Sequence, residues 1–186
     1  MSSRETDLQF VKAGVEDLPD YLLSKELFWP LSAPRFGYSL PRFTLGGLLA
    51  ALRRLQAYAD APAKQAEIRD FERRVDAFRT SRRVAWEAKA AREFGVRFRL
   101  WQNYLSDLRR DPETHADAYA HEVSWRVLLE LLAAELPVPP PESSALSGLD
   151  SVLKSYWHPG GFIWEPELKP VFPEQPFWYL YGNVRS

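Results

Sequence analysis

Cysteine is absent from all 186 residues, and its absence removes disulfides, thiolate nucleophiles, zinc fingers and iron–sulfur clusters together. Histidine is scarce, at three residues. His121-Glu122 has no second histidine four positions from the first, so the helical zinc-hydrolase pattern fails. Glu113 and His115 stand two apart rather than three, so the paired Glu-x-x-His set of a di-iron bundle fails as well. No Gly-x-Ser-x-Gly elbow is present, and Gly46-Gly47 is not followed by the Lys-Ser/Thr of a phosphate loop. Apolar runs stay far below the roughly 18 residues that would span a bilayer. The segment Met1-Ser2-Ser3-Arg4-Glu5-Thr6-Asp7 carries acids without an apolar core, so a cytoplasmic, soluble chain without a secretory signal is expected. No cofactor and no metal site is expected, and no catalytic residue is named.

Net charge is also small, at −1, so no whole-molecule field selects a nucleic acid or a membrane. The charge is unevenly placed. Residues 1–41 carry −2, residues 42–111 carry +7 and residues 112–186 carry −6. A basic middle between acidic ends either neutralises itself on folding or presents a basic face to a partner.

What is abundant is aromatic and proline-punctuated. Seven Trp and an aromatic fraction of 14% are generous for a helical chain. Four prolines precede residue 42, none falls between Ala63 and Asp111, and nine occur from Pro137 onward. This spacing predicts a helical middle between an extended N-terminal arm, with a short helix near Leu18–Lys25, and a Pro/aromatic-rich C-terminal extension. Thr44 caps a Leu-rich helix over about 45–59, in which Leu45, Leu48, Leu49, Leu52 and Leu55 share a face. A second helix, capped by Asp60 with Pro62 in its first turn, is predicted over 62–110 as one bent rod. Its apolar seam shifts by two positions between Phe78 and Ala91, and continuing the first register would turn Arg82, Lys89 and Arg92 inward. Asp111-Pro112-Glu113 starts a third helix over 112–136, and so short a connection predicts an antiparallel hairpin. After Pro137-Val138-Pro139-Pro140-Pro141, a helix from Ser147 to Tyr156 and short strands at Phe162–Trp164 and Phe177–Tyr181 are expected.

The predicted architecture is therefore all-α: a bundle of three to four helices built on a long antiparallel hairpin. Residues 1–136 form the helical domain, and residues 137–186 form an extension whose aromatics pack on it. The ligand or partner contacts picked out by charge and position are Arg79, Arg82, Arg83, Lys89, Arg92, His115, His121 and Glu122. The expected function is a non-enzymatic protein-interaction or scaffold module, with a protein partner or self-association and no membrane. An alternative is a bundle that binds a small molecule, anion or metal between helices. A weaker alternative is a nucleic-acid role for the basic stretch 69–83, where Arg69/Arg73 and Arg79/Arg83 are i,i+4 pairs.

Overall fold

The computed structural model describes residues 4–31, 40–58 and 61–185. The chain is mostly helical, and it divides into two compact units, Met1–Glu93 and Phe94–Ser186. No helix among the described residues is long and apolar enough to cross a membrane.

The N-terminal unit begins with a helix, not an extended arm. Helix α1 runs from Arg4 to Leu23 and buries Phe10, Val11, Val15, Leu18, Tyr21 and Leu22 along one face. Pro19 lies inside it. A proline removes one backbone donor, yet the buried face carries the helix through. Helix α2 is Leu45–Gln56, and the Thr44 hydroxyl accepts from the Gly47 N–H at 3.1 Å, which fixes its start. Helix α3 is Pro62–Ser81, packed against both. Its cap residue is Ala61, which offers no side-chain hydrogen bond; Asp60, like the end of the 45–59 helix at Ala59, lies outside the described residues.

The 62–110 rod is divided. At Arg82 the backbone moves to φ −122, ψ 33, and helix α4 then runs from Arg83 to Arg110. The seam shift seen in the sequence is resolved by this interruption: Ile68, Phe71 and Val75 are buried before it, and Trp86, Ala90 and Phe94 after it.

Phe43 organises the middle of this unit. Its backbone exchanges both hydrogen bonds with Trp29 in an isolated antiparallel bridge. Its ring stands edge-on to Tyr21 at 5.0 Å and lies over Gly14, where an added Cβ would come within 2.3 Å of the ring. Asp7, almost fully buried, holds the Arg54 guanidinium in a two-point pair at 2.6 and 2.8 Å. The carboxylate thereby meets both the positive end of α1 and a planar fork that matches it.

The C-terminal unit takes in the second part of α4 and everything after it. Asp111 accepts from the Thr114 N–H and hydroxyl, the hydroxyl bond measuring 2.7 Å. These bonds, more than any charge nearby, hold its carboxyl below the usual range. The single helix predicted over 112–136 is instead a series: α5 (Pro112–His115), a 3₁₀ turn (Ala116–Ala118), α6 (Tyr119–Glu122) and α7 (Ser124–Ala133). Where periodicity predicts three or four helices, the described residues form eight α-helical segments, because tightening at Ala116–Ala118 and Val123 adjusts which side chains face inward. Helix α8 spans Ser143–Lys154, four residues ahead of the predicted Ser147 cap.

The strands also fall elsewhere than predicted. β1 (Trp157–Pro159) pairs antiparallel with β2 (Gly182–Val184), Trp157 opposite Val184. Phe177–Tyr181 is mainly a 3₁₀ turn, and Phe162–Trp164 is not a strand. Gly182 lets the hairpin close, since a Cβ there would lie 2.3 Å from the His158 carbonyl. Trp164, Phe172 and Phe177 form a chain of edge-on rings, with successive centroids 5.3 and 5.2 Å apart. Edge-on geometry suits rings whose faces and edges carry opposite partial charge.

Two glycine substitutions separate a required gap from an idle one. Gly14→Ala drives a methyl into the Phe43 ring and lowers stability by about 1–3 kcal/mol. Gly148→Ala, in mid-α8 with nothing within 4 Å of the new Cβ, raises stability by about 0.5–1 kcal/mol. Urea denaturation midpoints check both signs.

Candidate functional site

Helix α1 has no basic residue in its last turn, and α2 has no acidic residue in its first. Both poles of the helix dipole are therefore uncompensated by local sequence. Three residues of α4 supply what is missing. Lys89, buried, donates from Nζ to the Ser24 hydroxyl at 3.2 Å and to the Glu26 carbonyl, with Nζ 4.1 Å from the centre of the Tyr21 ring. Arg92 donates to the Lys25 carbonyl. Glu93, fully buried, accepts from the Gly46 N–H at 2.8 Å. Gly46 and Gly47 keep that helix start narrow: a Cβ on Gly47 would meet the Thr44 hydroxyl at 3.1 Å. Burial, and then the like charge of Arg92, hold the Lys89 ammonium below the ordinary lysine value, with Glu26 pulling the other way.

The other residues picked from the sequence are placed as follows. Arg82 and Arg83 are exposed and Arg79 is half-buried. Arg79 pairs with Asp76, and Arg83 pairs with Glu87. Arg73 pairs with Asp70, so three arginines of the basic stretch are matched on their own helix faces. His115 is half-buried and its carbonyl accepts from the Tyr104 hydroxyl at 3.3 Å. His121 is exposed, and Glu122 accepts from the Trp125 indole at 2.9 Å. Of the three cations that the continuing register turns inward, Lys89 alone is buried; Arg82 and Arg92 are exposed. Among the described residues no group of three or more His, Asp or Glu side chains is arranged to hold a metal.

The C-terminal unit contains a second buried charge cluster that the sequence did not announce. Arg126 makes a two-point pair with Asp150 at 2.9 and 3.0 Å, reaches Glu130 at 3.0 Å, and stands 4.7 Å over the Tyr179 ring. Burial opposes its charge, but Tyr179, Asp150 and Glu130 offset that and raise its pKa above the ordinary arginine value. Tyr119 donates to the Tyr179 carbonyl at 2.6 Å, and burial pushes its phenol well above the ordinary range. The saturated hydrogen bonding of this cluster makes it a fastening.

A half-open surface cavity lies in the N-terminal unit, among α1, α2 and α3. Its volume is about 460 Å³. Leu8, Leu55 and Ile68 are its aliphatic lining. Arg4 and Glu5 come from the start of α1, Lys64 and Glu67 from the start of α3, and Tyr58 from just beyond α2. The Arg4 guanidinium stands 5.6 Å from the centre of the Tyr58 ring, and Glu5 accepts from Gln9 at 2.9 Å. None of these eight residues was among the ligand or partner contacts picked from the sequence, although Leu55 was placed on the apolar face of its helix. The sequence signals there were the apolar registers of α2 and α3, which carry Leu55 and Ile68.

The trans-capping contact is open to direct measurement. Glu93→Ala strands the Gly46 N–H and lowers stability by about 2 kcal/mol, whereas Glu93→Gln, which keeps an acceptor, lowers it by about 1 kcal/mol. Chemical denaturation of the two variants checks the order. Neither the chain's family nor its nearest structural kin emerges from comparison with known proteins: no family model, curated protein or solved structure matches it.

Proposed function

We propose that this chain binds a small ligand in the cavity among α1, α2 and α3, as a helical binding protein. The observation that carries the reading is the cavity itself. Its volume of about 460 Å³ falls in the range of small-molecule sites, about 300–1,000 Å³, and its lining joins aliphatic and aromatic side chains with a few charged ones. The buried charges elsewhere in this unit, Asp7 with Arg54 and Glu93 with Gly46, hold helices in place. A panel of small amphipathic compounds screened by ligand-observed NMR tests the reading. Binding in the micromolar-to-millimolar range is expected, and Leu8→Trp, which fills the cavity, abolishes it while leaving the helical circular dichroism unchanged. Binding that survives Leu8→Trp unaltered counts against the cavity.

A second reading, a protein-interaction module acting through self-association, is favoured by one exposed helix face. On α4, Val84, Ala88 and Ala91 follow steps of four and three and are all exposed, Val84 at 84%. Small side chains at this spacing let a second helix approach closely, and the same stripe on a second copy is self-complementary about a two-fold axis. The antiparallel hairpin belongs to this scaffold reading. It is supported by two contacts across the Asp111-Pro112 reversal: Tyr104 with His115, and, further from the turn, the Arg97 guanidinium 4.9 Å over the Trp125 ring. Sedimentation velocity at micromolar concentration should show a dimer that Val84→Glu converts to monomer. A wild-type chain that stays monomeric overturns self-association.

A further inference from the structure

Paired arginines occur four times in the chain, at Arg53-Arg54, Arg73-Arg74, Arg82-Arg83 and Arg109-Arg110. The sequence does not rank them, but the fold does. An endoprotease with an anionic specificity pocket reads such a pair and takes the residues before the cut as an extended strand. A helical substrate must therefore open first, and opening is costly where side chains have to leave the core. At three of the pairs a buried side chain lies close behind: Leu52 directly before Arg53, Phe71 two residues before Arg73 and Leu108 directly before Arg109. The Arg54 guanidinium is in addition held by Asp7. Beyond Arg110, the Asp111 carboxylate is bound by Thr114, and Pro112 supplies no backbone donor.

Arg82-Arg83 stands apart. Thr80, Ser81, Arg82, Arg83 and Val84 are all exposed, and no side chain is buried between Val75 and Trp86. Helix α3 also ends here, with Arg82 off the helical backbone region. The Arg83–Glu87 ion pair is largely solvent-exposed, where such pairs are worth little. Arg79 stands 5.2 Å from the centre of the Trp86 ring, and opening from Thr80 onward leaves that contact in place. Hydrolysis adds water across the Arg83–Val84 peptide bond, leaving a carboxylate on Arg83 and an ammonium on Val84. Each new charge has the sign disfavoured by the helix end it joins, so the cut ends are held open. The cut does not reach the core. Lys89, Arg92 and Glu93, which follow it in the chain, are bonded to Ser24, Lys25 and Gly46, which precede it. We infer that Arg83–Val84 is a processing site for an endoprotease that reads paired arginines, cut ahead of the other three pairs, and that the cut chain stays assembled.

The test uses the full chain and a kexin-type endoprotease, which requires two consecutive basic residues. The chain is kept well below the micromolar concentrations at which self-association would cover Val84. Four peptides, each spanning one pair, give the intrinsic rate at each bond, and intact-mass spectrometry reads the chain. Fragments 1–83 and 84–186 are expected first. Relative to its peptide, this bond should be cut about tenfold or more faster than the other three, since cleavage follows the population of the opened form. Thr80→Ala with Ser81→Ala keeps both arginines and raises helix propensity, and it should slow the cut about threefold to tenfold. On size-exclusion chromatography the cut chain is expected to elute as one particle with its helical circular dichroism retained. Equal or faster cutting at any other pair overturns the site, as does a chain that resists after Arg83 while the peptide is cleaved. An unchanged rate in the double variant overturns local opening as the cause. Separation of the two fragments overturns the assembly of the cut form.

Discussion

The N-terminal unit depends on charge delivered from one helix to the ends of two others. Helices α1 and α2 leave a negative pole near Ser24–Glu26 and a positive pole near Gly46, and neither sequence carries its own compensation. Lys89, Arg92 and Glu93, one turn of α4, meet both poles within five residues. The buried or half-buried contacts of Lys89 and Glu93, with the exposed one of Arg92, thus define the separation of the end of α1 from the start of α2, a distance that local hydrogen bonding would leave open. The direction of the Lys89 shift fits such a role: the ammonium loses hydration and lies near Arg92, so its position is held by acceptors and a ring face together, not by one counter-ion.

That arrangement explains which parts of the fold were legible. Helical periodicity in Ile68–Val75 and in Leu45–Leu55 survives into buried faces, because those side chains are aliphatic or aromatic and reach the core without a partner. Helix α1 was obscured for a specific reason. Its Phe10, Val11, Val15 and Leu18 repeat at helical spacing, but Gly14 and Pro19 interrupt the stripe with the two residues least suited to a helix interior. Gly14 is there because Phe43 occupies the space of its side chain, a long-range demand that no local window contains. The same holds at Arg82, where two registers of one sequence are reconciled by a break, and at Ala116–Ala118, where a tightened turn replaces a straight helix.

The candidate site was still less legible. A buried glutamate at position 93 and a buried arginine at 126 read as surface residues by composition, and only their partners reveal otherwise. The cavity is assembled from the start of α1 and, far from it in sequence, the end of α2 with the start of α3, so neither motif nor spacing marks it. Inward register did pick out Lys89, because a long aliphatic stem ending in a donor can sit on a buried face when carbonyls wait at its tip. Arg82 and Arg92, chosen on the same ground, stay at the surface, one at the helix break and the other turned to a loop carbonyl.

In the C-terminal unit, four aromatic donors are spent on main-chain oxygens. Tyr119 gives to the carbonyl of Tyr179, Trp164 to that of Ala120, Tyr181 to that of Phe172 and Tyr104 to that of His115. A carbonyl is supplied by whichever residue occupies the position, so each of these attachments constrains one side chain and not two. Drift at Ala120 or His115 leaves the bond intact provided the backbone path is kept, while loss of the donating ring removes it. Variation among distant copies of this chain should therefore be lopsided, with steady rings facing changeable partners, and searches that rely on coupled substitutions would pass over these contacts.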